Sequence, residues 1–75
     1  MHESDKIKMF GEVKWWSLQR GYGYITCGSK DYWAHYSQVN SDKKFKRLKD
    51  GQKVTFCPDH NEKGDFATDI SIIED

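Results

Sequence analysis

The chain has 75 residues, enough for one small domain and too few to scaffold a large substrate cleft, since a chain of this size buries only about 60% of its unfolded surface. Twelve Lys and Arg balance twelve Asp and Glu, so the formal net charge is zero and the overall basic charge that draws many chains to nucleic acid is missing. No apolar run approaches the ~18–20 residues of a membrane span, and Met1 to Lys6 lacks the apolar segment of a secretory signal. These features predict a single cytoplasmic domain over residues 1–75, with residues 1–6 frayed and no membrane partner. Aromatic content is the outlying figure, at 15%. Three Trp, four Tyr and four Phe are more rings than so small a core can hold, so some must lie outside it.

In chain order, Lys8 to Trp16 reads as a first strand rich in Val and Trp, and Gly21 to Thr26 as a second with strict alternation. Gly28-Ser29-Lys30 is a turn, and Asp31 to Ser37 a strongly aromatic third strand. Val39 to Gly51 is a long polar connection whose apolar points are Phe45 and Leu48. Lys53 to Cys57 is a fourth strand closed by Pro58, Asp59 to Gly64 a turn region, and Phe66 to Ile73 a fifth strand. No segment carries helical apolar spacing over three turns. Short strands between turn signals predict a small all-β barrel or sandwich.

A period of two sorts the side chains. Gly21, Gly23 and Ile25 share one face of the second strand, the inner one, which leaves Tyr22 and Tyr24 outside. In the third strand Trp33 and His35 oppose Tyr32, Ala34 and Tyr36. Pairing of these strands through the Gly28 turn brings Tyr22, Tyr24, Trp33 and His35 onto one surface. In the first strand Lys14 and Trp16 oppose Val13 and Trp15, so either one Trp is core or a bulge breaks the register.

The zero net charge hides an asymmetry. Lys43, Lys44, Lys46, Arg47, Lys49 and Lys53 face one nearby acid, Asp50, whereas Lys63 stands alone among the acids from Asp59 to Asp75. Cys27 and Cys57 are expected to be reduced thiols, a single bridge being the alternative. Cys57 and His60 have metal-ligand spacing, but no second pair completes four ligands, so no metal is expected. His35 has no partner pattern for a triad or a zinc helix, and Gly21-x-Gly23 lacks the third Gly of a dinucleotide fingerprint. The reading is of no catalytic residue, no cofactor and no enzyme.

Exposed rings on adjacent strands, interleaved with Lys14, Arg20 and Lys30, suit unpaired bases. Every base has a π-face, and each base–ring stack contributes about 1–3 kcal/mol without a sequence match. A buried second face and a protein-interaction barrel using the same patch are the alternatives.

Four ordered motifs carry a resemblance. Gly11-Glu12-Val13-Lys14-Trp15-Trp16 resembles the opening G-x-V-K-W-F of the cold-shock domain family. Arg20-Gly21-Tyr22-Gly23-Tyr24-Ile25 resembles its K-G-F-G-F-I motif, and Asp31-Tyr32-Trp33-Ala34-His35-Tyr36-Ser37 its D-V-F-V-H-F-S. Phe45-Lys46-Arg47-Leu48 with Gly51-Gln52-Lys53-Val54-Thr55-Phe56 is similar to F-K-x-L-x-x-G-Q-x-V-x-F. The resemblance spans Phe10 to Ile73. It implies a five-stranded antiparallel oligonucleotide/oligosaccharide-binding (OB) barrel that binds single-stranded RNA and DNA, with RNA chaperones and transcription antiterminators among bacterial members. It carries binding roles to Lys14, Trp15, Trp16, Arg20, Tyr22, Tyr24, Asp31, Trp33, His35, Tyr36 and Phe45. Trp15 and Tyr36 come from the resemblance alone. A monomer is expected, with domain swapping through the Val39 to Gly51 loop as the alternative.

The departures are also informative. Tyr and Trp replace the family's Phe, which keeps stacking area and adds polar handles. Tyr32 and Ala34 replace two inward Val, one larger and one smaller, as a volume-compensating pair. Cys27 stands where Pro is common. Lys63-Gly64-Asp65-Phe66-Ala67 resembles the bacterial G-P-x-A segment without its Pro, and Asp65 sets a negative charge beside the carried-over edge.

Overall fold

A computed structural model describes residues 7–40 and 48–73. The expected frayed segment 1–6, and Phe45 with most of the basic run, lie outside the described residues. Among the described residues the chain forms six strands: β1 (Met9–Ser17), β2 (Tyr22–Cys27), β3 (Lys30–His35), β4 (Val39–Asn40), β5 (Lys53–Asn61) and β6 (Gly64–Ile72). No described helix is long and apolar enough to cross a membrane.

The hydrogen-bonded order is β3-β2-β1-β5-β6, and a β3–β6 pairing closes these five strands into a barrel. β1–β2, β1–β5, β2–β3 and β5–β6 are antiparallel. The closing rung, Trp33 with Phe66, is parallel. β4 is a short addition, pairing Val39 with Ile70 and Asn40 with Ser71 in parallel.

Three boundaries differ from the sequence reading, each for a tertiary reason. The third strand stops at His35, and Tyr36–Gln38 forms a 3-10 turn capped by the His35 side chain, which accepts the Ser37 N–H. Val39, read as loop, is buried because β6 gives it a ladder partner. Strand β5 runs through Pro58 to Asn61, so the predicted turn region shrinks to Glu62-Lys63. The β1 ladder reaches only to Phe56 on β5, so a Pro two residues later has one neighbouring strand instead of two.

The core consists of Val13, Ile25, Tyr32, Ala34, Val39, Leu48, Val54, Phe56, Ala67 and Ile70. Each fully buried aliphatic or Phe side chain contributes about 1.5–3 kcal/mol relative to exposure. Tyr32, 6% exposed, points inward beside the smaller Ala34, and its ring lies 5.0 Å from that of Phe56. Cys57 is buried, Cys27 half-buried, and both are free thiols.

The β2–β3 hairpin turns in two residues, Gly28 and Ser29, between paired Cys27 and Lys30. Gly28 has φ +65°, as a type II′ hairpin turn requires at its first central position. The hairpin sets the register that brings the outward rings of β2 and β3 side by side.

Candidate nucleic-acid interface

The ladder register builds a grid of rings across three strands. Tyr24 pairs with Trp15 on one side and with Trp33 on the other. Tyr22 pairs with His35 in the next outward rung. The ring centroids form a continuous chain. Trp15 lies 5.5 Å from Tyr24 and 5.7 Å from Tyr22. Tyr22 lies 6.0 Å from Trp33, Trp33 5.5 Å from His35, and His35 4.5 Å from Tyr36 in a stacked pair. Trp15 remains 37% exposed, Trp33 39% and Tyr36 49%. The outward sides of Tyr22, Tyr24, Trp33 and His35, read from alternation, are those of the structure.

The register shift between Val13 and Trp15 resolves the two-Trp problem of β1. Val13 still pairs with Ile25, but Trp15 pairs with Tyr24, so Lys14 is the extra residue. Lys14 and Trp15 are both exposed as a result, and Trp16 turns back to pack against the core. Both alternatives open at the sequence level therefore occur together. The bulge is held from outside β1: Asp50 Oδ1 accepts the Trp16 N–H at 2.9 Å, Gly51 N–H donates to the Val13 carbonyl at 2.7 Å, and Val13 N–H donates to the Gln52 carbonyl at 2.8 Å.

Tyr36 joins the row by a different route. It follows β3 in the 3-10 turn, its N–H donates to the Gly21 carbonyl at 2.9 Å, and its ring covers Gly21. A side chain at Gly21 would collide with that ring, its Cβ lying 2.7 Å from Tyr36 Cδ2. Since a backbone N–H can only donate, the Ser37 N–H contact at 3.2 Å requires His35 Nδ1 to accept, and the neutral ring then carries its proton on Nε2.

Two of the cations beside the row, Lys14 and Lys30, are pre-paired. Lys14 Nζ donates to Asp31 Oδ2 at 2.8 Å, and Lys30 Nζ lies 3.3 Å from Asp65 Oδ2. The hydrogen bond from Lys14, and after it one from the Thr26 side chain, hold the Asp31 carboxyl below its ordinary value. Arg20 is exposed in the turn before β2, with no ion pair among the described residues. No cluster of metal-binding side chains occurs among the described residues.

Barrel closure adds what alternation had no means to find. Across the Trp33–Phe66 rung, a groove of 520 Å³ joins Tyr24, Asp31 and Trp33 to Asn61, Lys63, Gly64, Asp65 and Phe66. The β6 side of this groove is more than thirty residues away in sequence, and no local pattern links it to β3.

A small closed β-barrel bearing a contiguous outer row of rings across three strands is of the OB class. Residues 9–73 match the 'Cold-shock' DNA-binding domain family. The chain is 42% identical over 65 residues to cold shock-like protein CspA of Bordetella pertussis, covering 84% of this chain and 96% of that protein. It is 39% identical over 69 residues to cold shock-like protein CspB of Escherichia coli, covering 89% and 96%. It is also 39% identical over 64 residues to cold shock protein CapB of Pseudomonas syringae, covering 84% and 91%. The chain belongs to the cold-shock domain family, a nucleic-acid-binding family.

Proposed function

We propose that this protein binds single-stranded RNA and DNA by stacking unpaired bases on the row formed by Trp15, Tyr22, Tyr24, Trp33, His35 and Tyr36, and that it acts as an RNA chaperone without ATP or a catalytic step. The observation that carries the reading is the unbroken chain of ring contacts, 4.5 to 6.0 Å apart, on an outer sheet face. Lys14, Arg20 and Asp31 border the row and Trp16 supports it from the core side; Phe45 joins the set by resemblance. Capturing unpaired strands shifts a paired–unpaired equilibrium by mass action, which is sufficient to melt weak RNA structure. Two free thiols fit action in the reducing cytoplasm, and the protein acts as a monomer.

The test is paired. Trp fluorescence is titrated with oligo-dT, oligo-U and a duplex of equal length, and the parent is compared with Trp33→Ala and Tyr22→Ala. Single strands alone are expected to quench. Each substitution is expected to weaken binding roughly five- to 150-fold, the equivalent of about 1–3 kcal/mol per stacked base. Melting should stay within about 1 kcal/mol of the parent, since only ring–ring contacts on the surface are lost. Substitutions that melt and bind like the parent would falsify the platform and move a protein-interaction surface to first place.

A further inference from the structure

Phe66 belongs neither to the core nor to the row of rings. It is half-buried on β6, yet it does not pack on the core cluster, and no ring contact among the described residues reaches it. The register fixes its side. Its neighbour Ala67 is buried in the core, so a period of two turns Phe66 outward, as it does its exposed ladder partner Asp59 on β5. Trp33, between the inward Tyr32 and Ala34, also faces out, and it is the partner of Phe66 across the closing rung. Two flat side chains therefore border the 520 Å³ groove from the two strands of the seam, with no ring contact between them.

A flat apolar ring at the edge of a groove suits a flat ligand, and a base stacks on such a ring whatever its identity. Continuity selects the occupant. Tyr24 and Trp33 wall both the groove and the row, so a strand lying on the row meets the groove where it passes the edge of β3. The charges allow this. Asp31 is held by Lys14 at 2.8 Å, and Asp65, on the other face of the β6 ladder from Phe66, is held by Lys30 at 3.3 Å. Lys63, also lining the groove, has no ion pair among the described residues and can meet a phosphate. The G-P-x-A pattern that this segment resembles specifies no residue at the position of Phe66, so the resemblance gave it no role.

We propose that Phe66 is the stacking ring of a further base site, so that a bound strand crosses the β3–β6 closure and sets one more unpaired base against β6. The proposal rests on the single-strand reading above. The test titrates a dT heptamer, and heptamers with one abasic position at each place in turn, against the parent and variants by Trp fluorescence. Phe66→Ala is expected to bind the dT heptamer roughly five- to 150-fold more weakly, the effect of one lost stack. Phe66→Leu keeps apolar bulk without a π-face, so it should lose at least about fivefold even where Phe66→Ala melts early. Phe66→Tyr restores the ring and should bind within about twofold of the parent, as should Phe10→Ala, which removes a 73% exposed ring outside the row and the groove. The abasic series separates a contact from a structural effect. At one position the parent should be penalised for the missing base and Phe66→Ala should not, while the penalties at other positions persist in both. Phe66→Ala and Phe66→Leu proteins that bind like the parent overturn the assignment, as does a loss that leaves the penalty at every position unchanged; both results leave the row standing. A parent that binds no heptamer at all overturns the single-strand reading, and the further site with it.

Discussion

At the scale of single residues, the same strand separates core from surface by alternate positions, and the two kinds of ring predict opposite phenotypes. Tyr32 and Trp33 are neighbours, yet one packs on Phe56 and the other stands 39% exposed beside the groove. Tyr32→Ala is expected to cost about 3–5 kcal/mol, as for any buried large ring. That is comparable to the whole margin of about 3–5 kcal/mol for a core this small, so the variant should be largely unfolded at 37 °C by circular dichroism. A Tyr32→Ala protein that melts like the parent but loses oligonucleotide would reverse the assignment of faces. Asp31 supplies a second residue-level expectation. Lys14, and then Thr26, lower its carboxyl from the ordinary 3.8, against a small opposing effect of burial. A folded-state value below the unfolded one means that the contact stabilises the fold above pH 3.8, and that this contribution disappears as pH falls through the folded value. An NMR titration of Asp31 should have its midpoint below 3.8, and the stability difference between parent and Asp31→Asn should vanish in stronger acid. A midpoint at or above 3.8 means that the Lys14 contact does not persist in solution.

At the scale of elements, β1 decides whether the platform exists, because its bulge turns Lys14 and Trp15 outward together. The bulge needs a close approach of β2. A methyl group on Gly23 would press on the Trp15 carbonyl oxygen and sit 2.8 Å from Trp16 Cα and 2.9 Å from Trp16 Cε3. Two of those atoms are backbone and cannot swing away. Gly23→Ala is therefore expected to lose about 3 kcal/mol or more, the upper end of overpacking penalties, and to spoil oligonucleotide binding by shifting Trp15. Gly28→Ala is the useful comparison. A methyl there meets nothing within 4 Å, and only its φ of +65° opposes the change, for about 1–2 kcal/mol. Urea melts of the two variants check the ranking; equal losses would mean that β1 and β2 do not approach this closely. The sequence announced this contact only in part. Two Gly in alternation with Tyr marked an inner face pressed on something, but which backbone pressed on it depended on the register shift in another strand.

At the scale of the whole molecule, the net charge of zero conceals that, among the described residues, four of the seven Lys and Arg are already paired with carboxylates. Lys14, Lys30 and Lys53 are engaged with Asp31, Asp65 and Glu12, and Lys8 with Asp69. Arg20, Lys49 and Lys63 have no ion pair among the described residues. Single-strand binding should therefore depend on salt, but weakly. With one to three phosphates neutralised, the slope of log K against log salt is expected between about −0.7 and −2. Oligo-dT titrations from low to moderate salt measure it directly. A slope of zero would show that stacking alone holds the strand, and one far steeper would show that the paired lysines exchange their carboxylates for phosphates.

Sequence by itself determined five of the six strands, though not the ends of β3 and β5, together with the sidedness of β2 and β3 and the inward turn of Tyr32, because a period of two and a two-residue hairpin are local properties of the backbone. Tertiary structure alone decided the rest. Whether Trp15 or Trp16 faced out depended on a bulge pinned by Asp50, Gly51 and Gln52, more than thirty residues downstream. Val39 became core once β6 lay beside it, and Pro58 stayed in its strand because β1 had already ended. The groove between Trp33 and Phe66, with Asp65 on its rim, exists only because the barrel closes. Closure pairs residues distant along the chain, and no short-range pattern of side chains encodes which of them will meet.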